Sequence, residues 1–111
     1  MTDFAKYVPD VKKYAGENAN ELAVKKIVTH LGIALRVGRD AATVAASDPA
    51  ELETVRESWL KRKLALTQSD AELDQAIAEV MTKMKGNTAK SRVTVYYLLA
   101  EKFGKIAELA A

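Results

Sequence analysis

The chain has 111 residues, 49% of them apolar and 29% charged, with 17 Lys and Arg against 15 Asp and Glu for a net charge of +2. That length suits one domain around a single core, residues 1–111, and so mild a basic surplus does not by itself point to nucleic acid. The absence of cysteine excludes disulfides, thiolate metal sites and cysteine nucleophiles, and one histidine leaves no histidine-rich metal site within one chain.

At the N-terminus, MTDFAKYVPD carries an acid at Asp3 and no apolar run. It does not read as a secretory signal, so a cytoplasmic chain is expected. Phe4, Tyr7, Val8, Val11, Tyr14 and Ala15 follow the spacing of one helical face, with Asp3 as a candidate cap. Pro9 lacks an N–H and its ring collides with the preceding turn, so two short pieces or a kink are expected, the firmer piece over residues 9–15. Gly16 is placed to end it in a left-handed conformation. Asn18 and Glu21 then have the N-x-x-E spacing of a capping box. Beyond them Val24, Ile27, Val28, Leu31, Ala34 and Leu35 form a stripe, predicting an amphipathic helix over residues 19–37 that stops at Gly38. Gly32 inside it marks a candidate close helix crossing. His30 lies beside the stripe, near Lys26, as a boundary or surface histidine.

Residues 40–46 are a candidate single turn. Asp48, Pro49 and Glu51 then give a clear start signal: cap, first helical position and third. The helix they open, residues 49–64, turns Leu52, Val55, Trp59 and Leu60 inward and places its acids early and Lys61-Arg62-Lys63 late, as the helix dipole favours. That triplet reads as a solvated helix end, and it would make a larger patch only beside the turn at Gly86. Ser69 and Glu72 form a second capping box, followed by the stripe Leu73, Ala76, Ile77, Val80, Met81 and Met84, with Gly86 as its stop and a weak Glu79–Lys83 pair on its surface. Residues 88–103 are apolar all round from Val93 to Ala100, which places this helix at the centre of the fold. A hairpin turn is expected at Gly86-Asn87, a break at Gly104 and a short apolar-tipped tail after it. No stretch approaches the roughly 20 apolar residues that a membrane-spanning helix needs. The fold expected is all-α: a compact bundle of four main helices plus one or two short N-terminal or linking helices.

Lys83, Lys85, Lys90 and Arg92 gather around Gly86-Asn87 with no acid among them. Lys83 and Lys85 suit a helix C-terminus, but Lys90 and Arg92 begin the next helix, where cations are disfavoured. With the Ser91 or Thr88 hydroxyl and the free N–H groups of the first turn, they form a candidate site for an anion or an acidic partner: Lys83, Lys85, Lys90, Ser91 and Arg92. The opposing reading is an intramolecular salt bridge or plain solvation. The helix pair also superficially resembles a helix-turn-helix, but a recognition helix needs polar side chains along an exposed face and this one is apolar. Tyr96 and Tyr97 read as core aromatics and Met81 and Met84 as core fillers.

The segments SRVTVYYLLAEKFGKIAEL and DFAKYVPDVKKYAGENAN resemble a small bacterial family of single-domain proteins known only as a domain of unknown function. The resemblance implies a bacterial, cytoplasmic, stand-alone helical domain and assigns no activity to any residue. From the residues, a non-catalytic protein-interaction module is expected, with no cofactor, no metal and no membrane association. Neither a nucleophile–base pair nor a metal set can be named, so an enzyme is not expected. The alternative is nucleic-acid or anionic-ligand binding, weak nucleic acid or phosphate, through the basic turn at residues 83–92. A surplus apolar face would allow a homodimer.

Overall fold

A computed structural model describes residues 7–37, 48–85 and 90–110, excepting the side chains of residues 31–37. The expectations for Asp3, Gly32, Gly38, residues 40–46, the Gly86-Asn87 turn and Thr88 lie outside what is described. Among the described residues six α-helices follow in order: α1 (Val8–Ala15), α2 (Glu21–Val37), α3 (Pro49–Thr54), α4 (Asp70–Lys83), α5 (Arg92–Lys102) and α6 (Ile106–Ala110). A π-helical segment, π1 (Val55–Lys63), continues α3 without a break. The fold is the all-α bundle expected, with α2, α3–π1, α4 and α5 as its long members and no strand among the described residues.

Local chemistry explains most boundaries. Pro9 sits within the first two positions of α1, where its missing N–H costs nothing, so it starts the described helix instead of kinking it. Gly16 closes α1 at φ 99°, ψ 169°, a positive φ that favours glycine although not the left-handed helical region expected. Asn20, not Asn18, caps α2: its Oδ1 accepts from the Ala23 N–H at 3.1 Å. The choice is tertiary, because the Asn20 N–H donates to the Tyr97 hydroxyl at 2.7 Å and so fixes the register from α5. Asp48 caps α3 by accepting from the Ala50 N–H at 3.0 Å, and Ser69 caps α4 by accepting from the Glu72 N–H at 3.2 Å.

The expected regular helix over residues 49–64 holds only to Thr54 and then widens into π1. Apolar spacing gives the reason. On an α-helix of 3.6 residues per turn, Leu64 would point about 180° away from Val55. At the roughly 4.4 residues per turn that i→i+5 bonding produces, Val55, Trp59, Leu60 and Leu64 fall within about 80° of one another. All four are buried, and the Leu64 N–H donates to the Trp59 carbonyl at 2.9 Å, closing one such wide turn.

Helix α5 is the centre, in contact with α1, α2, α4, π1 and α6. Every residue from Arg92 to Ala100 is buried, so the all-round apolar pattern is met by neighbours on every side. Thr94 is fully buried among them and donates its hydroxyl to the Asp10 carboxylate of α1 in a short hydrogen bond. Trp59 is fully buried and stacks on Tyr96, ring centroids 4.5 Å apart and planes at 18°, while its Nε1–H donates to the Tyr96 carbonyl at 3.1 Å. This single side chain ties π1 to the middle of α5 by both packing and a buried hydrogen bond.

Candidate functional site

The basic turn is not one surface. Arg92, the cation least at home at a helix start, is drawn inward. Its side chain is 7% exposed, its Nη2 donates to Glu51 Oε1 at 2.8 Å, and its Nη1 lies 3.4 Å from the Tyr96 hydroxyl. Of the two alternatives for Arg92, the intramolecular salt bridge is the one present. Glu51 is supplied by the first turn of α3, 41 residues away, so no local spacing could announce the pair. Ser91 is the N-cap residue of α5 but makes no capping bond, and its Oγ is buried without a hydrogen-bond partner among the described residues. Lys83 and Lys85 are exposed and Lys90 is half-buried. Lys83 lines a shallow hollow with Glu79, Val80, Leu98, Glu101 and Lys102. Its expected partner Glu79 pairs instead with Lys102 of α5, which holds the Glu79 carboxyl below its ordinary range.

The Lys61-Arg62-Lys63 triplet also divides. Lys61 reaches Asp70 and Glu57, the latter at 3.0 Å, while Arg56 beside it meets Glu57 at 2.8 Å and Asp74 at 3.0 Å. The carboxyls of Glu57 (first through Arg56, then Lys61) and Asp70 (through Lys61) are held below their usual range. Where π1 meets α4, positive and negative charges therefore compensate each other.

Lys63 points elsewhere. It lines a hollow of about 350 Å³ with Lys26, Thr29 and His30 of α2, Leu64 at the end of π1, and Lys105, Glu108 and Leu109 at α6. Among the described residues, three ammonium groups and an imidazole thus meet a single carboxylate, Glu108, which pairs with Lys105 at 3.4 Å and whose side chain is 71% exposed. The His30 ring lies against Trp59, centroids 5.4 Å apart. Partial burial there, and then the positive charge of Lys63, lower its pKa below the ordinary histidine value although its outer edge is exposed. The Thr29 hydroxyl donates to the Lys25 carbonyl at 2.9 Å.

This cluster was not legible as a unit, because its members come from three separated segments. The available signals were Lys26 and His30, one turn apart on α2 beside the apolar stripe, and a lysine closing π1. Among the described residues, Leu22 is the one exposed large apolar side chain, at 57%. No helix among the described residues is long and apolar enough to cross a membrane, and no group of three or more His, Cys, Asp or Glu that could hold a metal ion occurs among them.

Residues 6–107 match the model of a protein family described as a protein of unknown function (DUF2853). No curated protein matches the chain.

Proposed function

We propose, from the premise that the chain belongs to the DUF2853 family of unknown function, that it is a non-catalytic protein-interaction module whose partner presents negative charge. One observation supports this reading: the fold spends its cations unevenly. Arg56, Lys61, Arg92 and Lys102 are all consumed by carboxylates of the same chain. Lys26 and Lys63 share one hollow and form no ion pair among the described residues. Cations left unmatched on a rigid frame steer and retain an acidic surface, and they do so in a salt-dependent way. The test is retention of the chain on immobilised poly-glutamate, with poly-lysine as control. Retention at low salt, lost by about 0.2 M NaCl, is expected. Absence of retention at low salt overturns the reading. Solution mass at two concentrations, measured alongside, tells partner binding from self-association.

A second reading keeps the basic turn as a nucleic-acid or anionic-ligand site. It is favoured by the exposed Lys83 and Lys85 and by the buried Ser91 hydroxyl at the start of α5, which has no partner among the described residues. Salt titration of binding to mixed-sequence DNA and RNA tests it. Binding that Lys83→Glu with Lys85→Glu abolishes supports it, and no binding in low salt removes it. Arg92 is unsuited to that test, because replacing it breaks the pair with Glu51.

A further inference from the structure

We infer that the hollow between α2, π1 and α6 is a binding site for a phosphate monoester, held by Lys26, Lys63 and Lys105 with His30 at its edge. The inference deepens the reading above and rests on it: it names the negative group and where that group sits.

The charge count comes first. Lys26, Lys63 and Lys105 line one hollow, and the one carboxylate there among the described residues, Glu108, is mostly exposed and already shared with Lys105. Holding like charges around a concave surface costs free energy unless an anion joins them. Glu108 can swing toward water at little cost, which leaves all three ammonium groups for a ligand.

The kind of donor comes second. Among the described residues the lining contains no arginine, so the planar fork that matches a carboxylate is missing there. Lysines act as point charges on flexible stems and suit a tetrahedral anion approached from several sides. Their excess over Glu108 fits a dianion. A phosphate monoester carries close to two negative charges near neutral pH, whereas a nucleic-acid diester carries one. At about 350 Å³ the hollow has room beyond the phosphoryl group, and Leu64 and Leu109 supply an apolar wall for the attached carbon chain.

His30 comes third. Its ring lies against Trp59, and it shares the hollow with Lys63 of π1, Lys26 and Thr29 of its own helix, Lys105 just before α6 and Glu108 of α6. Burial, and then the positive charge of Lys63, disfavour its protonated form in the free protein. A dianion seated among the lysines reverses the sign of the local field, so ligand binding and protonation of His30 favour each other.

The chain has one histidine, so its imidazole Hε1 resonance reports this site directly. The experiment is a pH titration of that resonance in chloride, in about 10 mM inorganic phosphate and in O-phosphoserine, all at one ionic strength. We expect the His30 midpoint to rise by about half a pH unit or more in both phosphates. Lys26→Gln with Lys63→Gln should abolish the response, and Lys83→Gln with Lys85→Gln should leave it intact. A midpoint identical in phosphate and chloride overturns the inference, as does a full response in the Lys26→Gln, Lys63→Gln variant. Two further arms identify the source. A phosphoserine peptide binding about tenfold tighter than free phosphoserine assigns the group to a protein partner, and equal affinities assign it to a free ester. Poly-glutamate retention without a phosphate response would sink the hollow and spare the partner reading. Failure of both measurements would remove both.

Discussion

Trp59 separates two charged regions that treat their cations in opposite ways. On one side it stacks on Tyr96, beyond which Arg92 is buried against Glu51. On the other it supports His30, beyond which Lys26, Lys63 and Lys105 share a hollow with one exposed carboxylate. Arg92 looked like the functional cation because a helix start disfavours it, and Lys63 looked dispensable because a helix end favours it. The fold pairs Arg92 with Glu51 and sets Lys63 in a hollow with Lys26 and Lys105. What neutralises a cation here is a tertiary delivery, Glu51 brought by α3, and not the local field of a helix terminus. The lesson is that an ill-placed charge in a sequence is as much a sign of a distant internal partner as of a ligand.

The largest break in this comparison should come from Trp59→Ala, which removes the common support of both regions. A loss of about 3–5 kcal/mol is expected in urea denaturation, together with displacement of the His30 resonance. Next is the contrast between Arg92→Met and Lys63→Met. The first leaves Glu51 half-buried and unpaired and should cost about 2–4 kcal/mol; the second removes a surface charge and should stay within about 0.5 kcal/mol. Equal effects from the two substitutions would erase the distinction between spent and unspent cations.

Acid should then act selectively on the compensated face. Glu57, Asp70 and Glu79 have lowered pKa values through Arg56, Lys61 and Lys102, so the folded chain binds fewer protons than the unfolded chain. Their contribution is present above the ordinary carboxylate range and is lost as pH falls through and below it. The urea midpoint should therefore decline between about pH 6 and pH 3, less steeply in high salt. The smallest effect belongs to His30. Its folded pKa is lowered, so protonation opposes folding: no cost above the ordinary histidine value, and a growing cost as pH falls through it toward the folded value. The urea midpoint should drop slightly from about pH 8 to pH 5.5. Lys63→Gln should shrink that drop, and His30→Gln should remove it.

Much of the frame was readable from residues alone. Ser69 and Asp48 cap where their spacing said they would, and the run from Val93 to Ala100 is buried on all sides. Each feature is local or needs only a count of apolar neighbours. Three things were not readable. Asn18 and Asn20 are equivalent as caps until Tyr97 selects one. Glu79 has Lys83 one turn away yet finds Lys102 across the helix pair. Val55, Trp59 and Leu60 fit an ordinary stripe, and only the burial of Leu64 reveals the wider turn. The candidate site divided in the same way. Residues 83–92 attracted attention because they are close in sequence, and the hollow escaped it because Lys26, Lys63 and Lys105 are not.

The π-helical segment makes the chain sensitive to length at one place. A substitution among the outward residues of Val55–Lys63 changes one side chain, whereas deletion of a single residue would let the segment rewind to 3.6 residues per turn. Leu64 would then lie about 80° around the helix from Val55 instead of nearly in line with it, and Lys63 would turn relative to α2 and α6. Lineages carrying this domain should therefore vary in what they write between Val55 and Lys63 far more freely than in how many letters they use.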